Sequence, residues 1–110
     1  MPKTSKALPD ASLEFIAQRF RAMSVPVRLR ILMLLEQGER TVSELVDQLS
    51  TSQANISKHL QVLTASGLLE RRKHGLNVFY AVADPRIFDM CEMVCGSLKR
   101  HHSERAKLFA

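Results

Sequence analysis

Apolar residues recur at helical spacing in five stretches of the chain, and at alternating spacing in one short region. Leu13, Ile16, Phe20 and Met23 fall three or four apart, which predicts a helix from Asp10 or Ser12 to about Ser24 with one apolar stripe. Pro26 then stands where proline suits a first helical turn, and Val27 to Gln37 is apolar on most sides, the pattern of a helix central to a core. Arg28 and Arg30 would lie on its outer side, and Gly38 stops it. Val42, Leu45, Val46 and Leu49 predict a short helix begun by Thr41 or Ser43. After a brief turn, Thr51 or Ser52 can cap a further helix whose buried stripe is Ile56, Leu60 and Leu63 and whose end is Gly67.

The pattern then changes period. Leu68 to Lys73 and Leu76 to Val82 read as two extended runs around His74-Gly75, with Val78, Tyr80 and Val82 on one face, which predicts a hairpin. Helical spacing returns from Pro85 through Ile87, Cys91, Val94, Cys95 and Leu98, widened by Phe88, Met90 and Met93. The predicted fold is mainly α with a small β-hairpin wing: a winged helix-turn-helix flanked by N- and C-terminal helices. Residues 10–102 form one domain between tails at 1–9 and 103–110. The flanking helices carry more apolar surface than so small a body can cover, so they are expected to pair two copies about a two-fold axis.

Charge sharpens this. The 110 residues carry a formal net charge of +5, which points to an anionic partner. The polar helix face carries one cation, Lys58, and the hairpin carries a cluster of them. From Thr51 through Leu69 there is no carboxylate. The outward side of that helix shows Ala54, Asn55, Ser57, Lys58 and Gln61, amides and hydroxyls that can read base edges beside small residues that allow close approach. Ser52, Gln53, Asn55, Ser57, Lys58 and His59 are the candidate groove-facing set. Arg71, Arg72, Lys73 and His74 at the hairpin are the candidate contacts to phosphates or the minor groove. The expected partner is double-stranded DNA. No apolar run is long enough for a membrane span, and Met1 to Asp10 lacks a signal-peptide core, so a cytoplasmic location is expected.

Val25 to Glu39, Ser52 to Val82 and the amphipathic helices on each side closely resemble the ArsR/SmtB family of winged-helix repressors. The Ser-Gln start at Ser52, the Ile-Ser-x-His-Leu core from Ile56 to Leu60 and the Gly-Leu-Leu entry at Gly67 carry the likeness. The resemblance implies a homodimer built from the first and last helices. It implies repression from an inverted-repeat operator, relieved by a metal ion or a thiol-reactive signal. The metal sites of the family do not carry over. Thr41 and Ser43 stand where the thiolate site of the arsenic and cadmium sensors has cysteines. Of the zinc-type set of the last helix only Asp84 matches, with Arg86, Ser97 and Arg100 at the other positions and a displaced His101-x-x-Glu104 nearby.

That leaves Cys91 and Cys95, four apart on one helical face. They are candidates for a metal or redox sensor holding As(III), Cu(I) or a persulfide. Equally, they are small buried hydrophobes in the seam. No cofactor is certain. The principal alternatives are a winged-helix dimer whose cysteines only pack, and one that acts through protein–protein contacts. An enzyme is not expected, because the cysteine pair has neither a neighbouring base nor a substrate cavity in its pattern.

Overall fold

Helix α1, Asp10–Met23, begins earlier than either expected cap allows, by one residue for Asp10 and by three for Ser12. Pro9 holds the cap position in extended conformation, and its carbonyl accepts from the amides of Ser12 and Leu13. Asp10 therefore lies inside the first turn, where a carboxylate complements the positive end of the helix dipole. The structure, a computed structural model, describes residues 7–102 and 108–109; the proposed tails therefore fall largely outside the described residues.

Helix α2, Pro26–Glu36, buries Ile31, Leu32 and Leu35, while Met33 on its other side is 53% exposed, so its all-round apolar pattern is covered on one side only. A two-residue strand β1, Arg40–Thr41, leads directly into α3, Val42–Leu49. Thr41 and Glu44 make a reciprocal cap. The Thr41 hydroxyl accepts from the Glu44 amide at 3.2 Å, and the Glu44 carboxylate accepts from the Thr41 amide at 2.8 Å. Ser50 turns the chain in the left-handed region at φ 52°, and Ser52 caps α4, Gln53–Ala65. Leu45 of α3 meets Ile56, Leu60 and Leu63 of α4 in the core, all wholly buried.

Past α4 the backbone closes in a paired turn. Leu68 N–H bonds to the Leu63 carbonyl and Gly67 N–H to that of Thr64, with Gly67 at φ 85°. Two features act against a side chain here, the first of them the stronger. The left-handed angle is one. The other is Arg19 of α1, whose Nε donates to the Ser66 carbonyl at 2.9 Å and whose guanidinium a Cβ on Gly67 would meet at 2.6 Å.

Strands β2, Leu69–His74, and β3, Asn77–Val82, pair antiparallel, and β1 adds to the far side of β3, giving the order β1-β3-β2. The hairpin loop is Gly75-Leu76, one residue later than the sequence pattern placed it. Gly75 takes φ 64° while Leu76 stays at negative φ, so the glycine is needed at the first loop position. Leu76 moves from the expected strand to a fully exposed tip.

The last helix, α5, is Ile87–His101. Pro85 lies in the preceding turn, closed by Ile87 N–H on the Asp84 carbonyl, and not in the helix itself. None of the residues of α5 is buried, and Phe15 of α1 is 71% exposed. No helix among the described residues is long and apolar enough to cross a membrane.

Candidate nucleic-acid interface

The apolar stripe Ile56, Leu60, Leu63 fixes the rotation of α4 and leaves Gln53, Ala54, Asn55, Ser57, Lys58 and Gln61 exposed. The structure thus brings most of the expected groove-facing set onto one accessible surface. Its members differ in how far they are already engaged. Ser52 accepts the Asn55 amide at 3.1 Å, so its hydroxyl serves the helix start. Asn55 donates through Nδ2 to the Thr51 hydroxyl at 3.1 Å, which orients its amide and leaves the carbonyl oxygen as the acceptor end. Gln53, Ser57 and Lys58 make no side-chain hydrogen bond among the described residues.

His59 departs from the rest. It is half-buried, and its Nδ1 receives a hydrogen bond from Arg28 Nε at 3.1 Å. Arg28 also reaches the Ala22 carbonyl from NH1 at 3.3 Å, so it lies between α1, α2 and α4 and not on the outer side of α2 as its sequence position suggested. Burial first, then the charges of Arg28 and Lys58, push the His59 imidazole below its usual range and keep it neutral.

The hairpin cations also divide. Register places Arg71 and Lys73 on the face of Leu69, and Arg72 and His74 on the face of Glu70. Arg72 is bound in place. Its Nε and NH2 donate to the two Glu39 oxygens at 3.2 and 2.6 Å, and its guanidinium carbon sits 5.1 Å from the centre of the Phe79 ring. The hydrogen bond from Arg72 holds the Glu39 carboxyl below its ordinary range. Arg71, Lys73 and His74 are exposed and have no such partner among the described residues. Sequence reasoning missed Arg28 and Glu39, whose partners lie 31 and 33 positions away and leave no local signal.

A groove of about 850 Å³ runs between α1, α2 and α5. Phe20, Met23, Leu32 and Phe88 line it, and Cys91 and Cys95 open into it half-buried. Burial, then the charge of Glu36, pushes the Cys91 thiol up, so it holds its proton at neutral pH. Among the described residues no group of three or more His, Cys, Asp or Glu side chains is placed to hold a metal. The residues at the family-type metal positions do not fit an ion either. The Thr41 hydroxyl is part of a helix cap, and Arg86 occupies Asp84 through contacts of 2.7 to 3.1 Å.

That pairing gives a measurable signature. The Arg86 side chain, then its backbone N–H, hold the Asp84 carboxyl at about 2 against an ordinary 3.8. A depressed carboxyl contributes stability above its ordinary value that is lost as pH falls through the folded one. Arg86→Gln should raise the Asp84 midpoint part of the way back in an NMR titration of the side-chain carboxyls. An unchanged midpoint would mean that the guanidinium is not the cause.

Comparison with known proteins gives one consistent picture. The family model described as "Bacterial regulatory protein, arsR family" matches residues 25–71. A probable mercury resistance operon repressor of Streptomyces lividans is 38% identical over 82 residues, covering 74% of this chain and 62% of the relative. An uncharacterized HTH-type transcriptional regulator of Methanocaldococcus jannaschii is 38% identical over 82 residues, 74% of this chain and 92% of the relative. The SmtB repressor of Mycobacterium tuberculosis is 37% identical over 76 residues, 69% of this chain and 56% of its own length. The chain therefore spans between 56% and 62% of the first of these repressors' lengths. Among solved structures, a homodimeric winged helix-turn-helix DNA-binding domain from Mycobacterium bovis, a possible ArsR-family regulator, superposes with a TM-score of 0.77 at 33% identity, covering 84% of this chain and 90% of that one.

Proposed function

We propose a function for this chain from one premise: it belongs to the ArsR family of bacterial regulatory proteins. It acts as a dimeric, sequence-specific transcriptional repressor of the ArsR/SmtB type in the cytoplasm, binding an inverted-repeat operator. The observation that carries this reading is the exposed surface of α4, where Gln53, Asn55, Ser57 and Lys58 stand together with no carboxylate from Thr51 through Leu69. Such a surface meets phosphate without repulsion and offers donors and acceptors to base edges. The exposed Arg71 and Lys73 add the positive charge that salt-dependent binding needs, with the exposed His74 beside them. The exposed apolar faces of α1 and α5, together with the homodimeric state of the M. bovis neighbour, support pairing through those helices. A gel shift against the gene's own upstream duplex and an unrelated duplex at physiological salt tests the reading. Tight binding to the first and weak, salt-sensitive binding to the second is expected; equal affinity for both would remove the operator.

Release from DNA by a soft metal ion or a thiol-reactive signal at Cys91 and Cys95 is the finer part of the proposal. Two thiols one turn apart, opening into the groove beside the seam, favour it. A soft cation such as As(III) or Cu(I) would displace the thiol protons. A polysulfide would transfer one sulfane sulfur to a thiolate and leave one sulfur shorter. Because Cys91 holds its proton firmly, either response should strengthen as pH rises. Operator affinity of the wild type should fall on adding As(III), Cu(I) or polysulfide, and that of the Cys91→Ser, Cys95→Ser double mutant should not. A double mutant that lets go of DNA as the wild type does would leave the cysteines as packing alone.

A further inference from the structure

The bond from Arg28 to His59 ties α2 to α4, and its chemistry fixes the position of a proton. A guanidinium offers N–H donors, has no acceptor, and stays charged throughout the folded range of pH. The nitrogen that receives the Arg28 Nε proton, Nδ1 of His59, must therefore present a lone pair. An imidazole with Nδ1 bare carries its hydrogen on Nε2. The ring is pinned with Nδ1 toward α2, so the Nε2–H end is turned away from Arg28. His59 follows the exposed Lys58 and is itself half-buried against α2, at the margin of the exposed α4 surface and not at its centre. A helix margin faces the groove wall, where the acceptors are phosphate oxygens.

We propose that Arg28 is a positioning residue of the DNA interface: it holds His59 as the Nε2–H tautomer, a neutral donor aimed at a backbone phosphate. This rests on the DNA-binding reading above. It adds a residue from α2, outside the helix-turn-helix, to the machinery of DNA recognition.

The test uses the full chain and two readouts. In the first, ring-nitrogen NMR of the free protein should show His59 wholly as the Nε2–H form, with Arg28→Ala giving a mixture of both tautomers. In the second, affinity is measured for the upstream duplex and for an unrelated one. Arg28→Ala and His59→Ala should each lower both affinities about tenfold per protomer, the scale of one hydrogen bond to a charged group, and so about a hundredfold for a dimer with both copies engaged. The double mutant should do no worse than either single change, because both remove the same hydrogen bond to DNA. His59→Gln should keep near-wild-type binding, since its carbonyl oxygen can accept the hydrogen bond from Arg28 while its amide donates outward. Should Arg28→Ala weaken the fold by removing the bond to Ala22, the His59→Ala and His59→Gln pair still decides the matter. Independent losses that multiply to about a hundredfold per protomer in the double mutant, about ten-thousandfold for the dimer, would overturn the proposal. So would a tautomer indifferent to Arg28, an affinity indifferent to His59, or a loss confined to the upstream duplex, which would assign Nε2–H to a base edge. A wild type that binds neither duplex would overturn the DNA-binding reading and this inference with it; a wild type that binds while the variants match it would overturn the inference alone.

Discussion

Val94→Glu is expected to yield a folded monomer whose operator affinity is lower by about two orders of magnitude. The cause lies in α5. A helix of 15 residues gains little stability from its own hydrogen bonds and needs an apolar face covered. No residue of α5 is buried, and Val94 is 54% exposed beside Met93 at 71%. Leu13, Phe15, Ile16 and Phe20 leave an exposed apolar face on α1 as well. These two faces are what a second copy would cover. A glutamate at Val94 costs a monomer almost nothing, because the side chain there already meets water. In a two-fold seam it places a carboxylate, and its symmetry mate, in apolar surroundings without partners. Losing the seam turns one bivalent encounter with two half-sites into two independent ones, and linked binding is worth on the order of a hundredfold or more. Sedimentation, thermal melting and operator titration read the three parts separately. A variant that remains dimeric and binds normally would place the seam on another surface.

Much of this architecture is legible in the chain because it is periodic. Stripes such as Ile56, Leu60 and Leu63 specify both that a helix forms and which way it faces, and all three are wholly buried. The Thr41-to-Glu44 cap is equally local, a hydroxyl and a carboxylate three residues apart. What the sequence hides is short or distant. β1 is two residues long, below the length at which alternation carries information, and it exists because β3 offers it an edge. The hairpin loop is displaced by one residue because the backbone angle required at its first position suits Gly75 and not His74. The start of α5 shifted because the Asp84 side chain and carbonyl organise a turn around Pro85 before the helix begins.

The candidate site divides along the same line. Which residues of α4 are exposed follows from its stripe. Which of them are already held, and by what, does not. Arg28 with His59, Arg72 with Glu39, and Arg19 with the Ser66 carbonyl span 31, 33 and 47 positions. An arginine finds such partners only after the helices have packed, so the basic residues in a row from Arg71 to His74 look equivalent until the fold separates them.

The same separation governs how binding should respond to salt. Arg71→Ala with Lys73→Ala removes two exposed cations per protomer, four in a dimer. The slope of log affinity against log salt should become shallower by roughly 3 to 4, at about 0.9 for each phosphate no longer neutralised. Binding should weaken alike on operator and unrelated DNA, because phosphate contacts carry no sequence information. Arg72→Ala should behave otherwise. Its guanidinium already answers Glu39 with two hydrogen bonds and covers Phe79. Both partners are about half exposed, at 52% and 41%, so solvent screens the pair and it adds little to stability. Removing Arg72 should leave the salt slope nearly unchanged. It should lower affinity only modestly, through a looser hairpin and an unpaired Glu39 carboxylate near the phosphates. The measurement is the same titration at several salt concentrations for the wild type and both variants. If Arg72→Ala flattens the slope as far as the double substitution does, Arg72 exchanges Glu39 for phosphate on binding, and the clip belongs to the free protein only.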